Sequence, residues 1–91
     1  MAPIALTLYS RPGCHLCDEM KEIAFPVARE LGCAVAEVDI SETPELESRF
    51  GTEIPVLFVN DRKAFKYRLT ERELRKRLAA ERRGTSMASI P

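Results

Sequence analysis

The chain is expected to fold as one α/β domain of order β-α-β-α-β-β-α, with a mixed four-stranded sheet and helices on both faces. Three observations lead there. Two apolar runs, Ile4–Tyr9 and Cys33–Ile40, flank an amphipathic helical segment, and strand–helix–strand at that spacing makes parallel strands joined by a right-handed crossover. Two further runs, Val56–Val59 and Ala64–Arg68, are separated by the turn Asn60-Asp61-Arg62-Lys63 and so pair antiparallel. The last part of the chain opens with Thr70 and Glu73, a capping-box pattern, and continues with Leu74 and Leu78 at helical spacing.

Each element has its own justification. Ile4-Ala5-Leu6-Thr7-Leu8-Tyr9 is apolar enough for a central strand. Ser10-Arg11-Pro12-Gly13 is a loop by its turn residues. From Cys14 onward Leu16, Met20, Ile23, Ala24, Val27 and Leu31 recur at helical spacing, and Gly32 is a stop. Pro26 is expected to kink or break that helix near Phe25. Thr43-Pro44 is an N-cap followed by proline at the first helical position. The short helix it opens carries Leu46 and Phe50 inward and ends at Gly51. Ala64–Arg68 reads as an edge strand. In the last helix Glu71/Arg75 and Glu73/Arg77 are spaced as i,i+4 ion pairs, and Gly84 is the expected end. Residues 1–84 thus make the domain, and 85–91, small and polar, read as a flexible tail.

Composition narrows the function classes. With 91 residues the chain has room for one small core. No apolar run reaches membrane-spanning length, and the first nine residues lack a basic leader, so neither export nor a membrane partner is expected. Three cysteines are too few and too odd for a secreted disulfide scaffold, so a reducing compartment, the cytoplasm, is expected. The net charge is zero but unevenly spread. Residues 1–61 carry eleven acids against four bases, and residues 62–91 carry ten bases against three acids. No aromatics interleave the basic residues as a nucleic-acid platform requires, so the basic segment reads as a solvated helix face.

The chemistry sits in Cys14-His15-Leu16-Cys17. A thiol at a helix N-terminus feels the positive end of the peptide dipoles, which favours its thiolate. A second thiol one turn later is within reach to close a disulfide, which is what reversible thiol–disulfide exchange needs. Cys14, at the helix start, is the expected nucleophile, and Cys17 the resolving thiol; the alternative is two inert helix cysteines. His15 as a cation would favour the Cys14 thiolate, or else it simply faces solvent. Arg11 either steadies a thiolate or an anionic substrate, or is a solvated loop charge. Leu16 belongs to the rim of a small apolar substrate groove or packs inward, and Tyr9 packs beside the site. Cys33 reads as a small buried apolar residue rather than a third redox thiol. Cys14, His15, Cys17 and Cys33 have the atom types of a zinc set, but adjacent Cys14 and His15 are poorly placed to share one tetrahedral ion, so no metal site is assigned.

Element order, the C-x-x-C pair after the first strand and Ile54-Pro55 before the third resemble the thioredoxin-fold superfamily, and the glutaredoxins most of all. Leu8–Cys17 looks like the opening of a small glutaredoxin-like family, and Thr52-Glu53-Ile54-Pro55-Val56-Leu57 resembles its second signature. The likeness covers roughly residues 4–80. It implies a thioredoxin-like fold, a cis Pro55 beside the nucleophile, and an Ile54 backbone that pairs with the incoming substrate chain like an added strand. It also implies a dithiol–disulfide oxidoreductase acting on protein or small-molecule disulfides, recharged by a thiol (glutathione or a reductase); the sequence gives no oligomeric state, and a monomer is the default.

The chain departs from glutathione-using glutaredoxins after the hairpin. Their Gly-Gly positions fall near the bulky Phe65-Lys66, although Thr70 supplies a helix start and Arg11 matches a basic position that meets a glutathione carboxylate. A close backbone approach is therefore lost. No cofactor is required, and glutathione becomes a doubtful reductant. Two other function classes compete. One is an iron–sulfur carrier, a role that goes with a single-cysteine motif and good glutathione binding. The other is a non-catalytic module docking a partner through Arg72, Lys76 and Arg83.

Overall fold

The computed structural model describes residues 3–89, with side chains through Arg83. Its elements are β1 (Ala5–Ser10), α1 (His15–Glu30), β2 (Ala34–Asp39), a 3-10 turn (Ile40–Glu42), α2 (Pro44–Phe50), β3 (Val56–Val59), β4 (Arg62–Lys66) and α3 (Glu71–Ser89). The sheet order is β2-β1-β3-β4. β1 is parallel to β2 and antiparallel to β3, and β4 is antiparallel to β3. The most apolar strand is thus central and the charged Arg62–Lys66 lies on an edge, where lysine and arginine discourage further pairing.

Alternation along the strands sorts the core into two layers. Leu6, Leu8, Leu57 and Val59 join Met20, Ala24 and Val27 of α1 and Leu74 and Leu78 of α3 in the larger cluster. Cys33, buried and unpaired, belongs to it too. On the other face Val56 packs with Ile40 and Phe50, and Tyr9, Leu46, Ile54 and Phe58 close around them. Helices α1 and α3 therefore cover one face of the sheet and α2 the other. Among the described residues no helix is long and apolar enough to cross a membrane.

Local chemistry fixes the element ends. Thr43 caps α2, its Oγ1 accepting from the Leu46 N–H at 3.3 Å. At the start of α3 the capping box closes both ways: Thr70 Oγ1 accepts from the Glu73 N–H, and a Glu73 carboxylate oxygen accepts from the Thr70 N–H, each at 3.1 Å.

The structure corrects four expectations. Helix α1 runs unbroken through Pro26. Both Pro26 and Glu22 are exposed, so the Glu22 carbonyl deprived of a donor faces water, which is where a helix tolerates proline best. β4 begins at Arg62, two residues earlier than expected. Asn60 takes a left-handed φ of 54° and the turn closes in two residues. The Glu73/Arg77 pair is absent because Glu73 is committed to the cap, and Arg77 Nη1 instead meets Glu81 Oε1 at 2.7 Å. Helix α3 passes Gly84 and continues to Ser89; a glycine costs a helix interior about 1 kcal/mol but does not by itself end it. Of the expected tail, Ile90 and Pro91 lie outside the described residues.

Candidate functional site at the end of β1

Strand β1 delivers the chain to the sheet edge at Ser10, whose hydroxyl donates to Glu37 Oε2 of β2 at 2.9 Å. Gly13 then adopts φ +80°, a left-handed conformation open to glycine at little cost. The turn brings the Cys14 N–H to the Arg11 carbonyl at 3.3 Å and leaves Cys14 as the N-cap of α1. A sulfur takes the place usually held by a serine or aspartate oxygen. Cys14 Sγ accepts from the Cys17 N–H at 3.1 Å.

Cys14 and Cys17 are joined as a disulfide, with Cα atoms 5.2 Å apart, a separation ordinary for such bonds. The two sulfurs differ in access. Cys14 is half-buried, whereas Cys17 is 2% exposed. Among the described residues no three His, Cys, Asp or Glu side chains converge as a metal set. Cys33 is held in the core cluster instead.

His15 is 85% exposed at its side chain, and its Nε2 lies 2.9 Å from Glu19 Oε2, one turn along α1. Arg11 is engaged elsewhere: its guanidinium pairs with the Glu47 carboxylate of α2. It ties the loop before the cysteines to the helix on the opposite face of the sheet. Leu16 is half-buried and lines a groove described below.

The Ile54–Pro55 peptide is cis, and Pro55 is buried. Three contacts from the following hairpin hold this segment. Lys63 Nζ donates to Glu53 Oε1 at 2.7 Å. The Tyr67 N–H donates to the Pro55 carbonyl at 2.8 Å, and the Tyr67 hydroxyl donates to the Thr52 carbonyl at 3.1 Å. The Lys63 hydrogen bond holds the Glu53 carboxyl below its usual range against partial desolvation. Among the described residues no hydrogen bond engages the Ile54 N–H or C=O. That short stretch of backbone is open to an extended chain.

Tyr67 was not singled out by the sequence. It takes a left-handed φ of 70° immediately after β4, so the position where glycine would be favoured falls at Tyr67 and not at Phe65-Lys66. A bulky residue where the backbone turns left-handed was the available signal, but only the strand's true end locates it.

The sequence of residues 5–79 matches the model of the glutaredoxin-like domain, DUF836. The chain belongs to this glutaredoxin-like family. It is 30% identical over 77 residues to a glutaredoxin-like protein of Dictyostelium discoideum, covering 78% of this chain and 71% of that one. Among solved structures, the protein XcR50 from X. campestris is 36% identical, with a TM-score of 0.70 over 82% of this chain and 96% of that one. Ne2328 from Nitrosomonas europaea is 25% identical, with a TM-score of 0.70 over 85% and 93%. Chloroplastic thioredoxin z, 15% identical, shares the fold at a TM-score of 0.69 over 85% and 76%. The thioredoxin-like α/β architecture of this glutaredoxin-like domain and its joined Cys14–Cys17 pair are together consistent with redox function.

Proposed function

We propose that the protein is a dithiol–disulfide oxidoreductase in which Cys14 is the nucleophile and Cys17 the resolving thiol. One observation carries this reading. The partly accessible sulfur caps the helix and accepts an N–H bond, while its buried neighbour stands at bonding distance. Capping by an N–H and the helix dipole both favour a thiolate over a thiol.

The reaction starts from the reduced pair. The Cys14 thiolate attacks one sulfur of a substrate disulfide, forming a mixed disulfide and expelling the other substrate sulfur as a thiolate, which takes up a proton. Cys17 loses its proton and attacks Cys14 Sγ, forming the Cys14–Cys17 bond and expelling the second substrate thiolate. Two electrons pass from the protein dithiol to the substrate, and an external thiol returns them. The unpaired Ile54 backbone beside Pro55 suits an extended substrate chain by strand addition.

Two contacts bear on the reductant. Arg11 is occupied by Glu47, and Tyr67 fills the left-handed position. Both argue against glutathione as a tightly held partner, so a protein or small-molecule disulfide and a separate thiol reductant fit better. No resident cofactor is assigned. The odd, low cysteine count supports a reducing compartment, the cytoplasm, as the proposed location, and a monomer is the default state.

Trapping tests it. With Cys17→Ser, a disulfide substrate should remain attached to Cys14 and be seen as an intact-mass adduct. Cys14→Ser should form none. Adducts found on Cys17 in the Cys14→Ser protein at the wild-type rate would reverse the assignment. Failure of the reduced wild type to reduce any disulfide would end the enzyme reading.

A further inference from the structure

A groove of about 510 Å³ opens beside the cysteines, between α1 and the segment that leads from β4 into α3. Its apolar lining comes from Leu16, Met20 and Ile23, spaced i, i+4, i+7 on one face of α1, and from Leu69. Leu16 stands between the two cysteines in sequence, on the first turn of the helix. The mouth of the groove is therefore within about 10 Å of the sulfurs, the span of roughly three residues of extended chain. On its far wall Tyr67 joins the groove to the Ile54–Pro55 segment through its bond to the Pro55 carbonyl.

The charges around this apolar floor are not equivalent. Glu19 and Glu73 line it, but each already has a partner: Glu19 the His15 imidazole, Glu73 the Thr70 N–H. Arg68 also lines it, is exposed, and has no ion pair among the described residues. Arg72 and Lys76, next along α3, are likewise exposed and unpaired there. The capping bond leaves the Glu73 charge in place, so the lining carries both signs, and Arg68 is its one cation and the group a substrate carboxylate can pair with.

We propose that this groove selects the substrate. Resting on the oxidoreductase reading above, it assigns as preferred substrate a protein disulfide with one particular flank: a large apolar residue within three positions of the reactive cysteine, followed by a carboxylate. The apolar side chain fills the space over Leu16 and Ile23, and the carboxylate meets Arg68. The volume holds one or two large side chains, and the open Ile54 backbone receives the chain that carries them. A small disulfide cannot reach the groove from Cys14, and a tripeptide thiol without an apolar side chain leaves it empty.

The experiment compares four synthetic symmetrical peptide disulfides and the reduced wild-type protein. One peptide has only glycines around its cysteine, one places leucine two residues away, one adds glutamate after the leucine, and one adds lysine instead. Rates of thiol release are read against hydroxyethyl disulfide. The leucine–glutamate peptide should react about 10-fold or more faster than the glycine peptide, as expected for filling an apolar pocket, and faster than the leucine–lysine peptide. Within each variant the ratio of two peptides is the readout, so a general loss of activity cancels. Ile23→Ser should bring the leucine-to-glycine ratio to within about twofold. Arg68→Glu, a surface change that does not threaten folding, should invert the glutamate-to-lysine ratio while sparing the leucine-to-glycine ratio. Equal rates on all four peptides by an active wild type overturn the groove and leave the oxidoreductase standing. A wild type inert toward every disulfide, hydroxyethyl disulfide included, overturns both.

Discussion

Replacing Tyr67 separately by glycine, alanine and phenylalanine separates what its backbone costs from what its side chain contributes. At φ 70° an L-residue is in the left-handed region, which costs a side-chain-bearing residue roughly 1–2 kcal/mol. Glycine pays little of this, although its greater freedom in the unfolded chain offsets some of the advantage. Tyr67 as a residue is 43% exposed, so somewhat more than half of it is removed from water; by the area scale that is about 1–2 kcal/mol. The hydroxyl's bond to the Thr52 carbonyl, at an exposed position, adds about 0.5–1 kcal/mol. Three outcomes follow for the oxidised protein in urea at constant m. Tyr67→Phe loses about 0.5–1 kcal/mol. Tyr67→Ala loses the ring as well and falls by about 2 kcal/mol. Tyr67→Gly loses the same side chain yet sits about 1 kcal/mol above the alanine variant, the reverse of the usual glycine penalty. If the alanine variant is as stable as the glycine variant, the left-handed assignment at Tyr67 is wrong. The proposal that glutathione is not tightly held then loses one of its two supports.

Other expectations are simpler. Pro26→Ala restores an N–H to the Glu22 carbonyl in the middle of α1 and should raise stability by about 1–2 kcal/mol, read as a higher urea midpoint. Thr70→Ala removes the first half of the α3 capping box and should cost about 1 kcal/mol, with Thr70→Ser retaining most of it. Arg11→Ala and Glu47→Ala combined in a double-mutant cycle should show a coupling below about 1 kcal/mol, since both groups are partly exposed. Their pairing should matter more to the positioning of the loop than to stability. Acid should weaken the fold through carboxyls held low in the native state: Glu30 by Arg75, Glu53 by Lys63, and Glu81 by Arg77 and Asn60. Each contributes stability that is present above its ordinary value of 4.5 and is lost as pH falls through its lowered native value. Glu30→Gln and Glu81→Gln should flatten that acid limb of a melting-temperature profile.

Much of the fold was legible because its elements carry local signals. β1 and β3 are short apolar runs between turn residues, and the two helix starts at Thr43 and Thr70 announce themselves by capping side chains. The misread positions share a cause. Pro26, Gly84 and the Arg62–Lys63 pair are residues with a local preference that the wider structure overrides: an exposed face at Pro26, a penalty too small to end a helix at Gly84, and a tight turn at Asn60. The cysteine pair was legible for the same local reason: spacing and a strand–loop–helix context suffice. Arg11 was legible as a charge but not as a partner of Glu47, 36 residues away on α2. Leu16 was legible as the rim of an apolar groove or as a residue packed inward, but the rest of the groove was out of reach. Leu16 and Ile23 take on a role only when α3 brings Arg68 and Leu69 against α1, and no pattern within either segment announces the other.

Cys33 has a further consequence. With its sulfur shelved inside the apolar layer between sheet and helices, the native protein presents a single exchangeable pair to solution. On the proposed mechanism a partner captured on the outer sulfur would have one internal route of release, and misrouted bonds to a third thiol would require the core to open first. Charge storage is thereby fixed at two electrons per chain. Titration of the folded, reduced protein with a disulfide reagent should consume Cys14 and, through closure of the bond to it, Cys17, and unfolding should add Cys33.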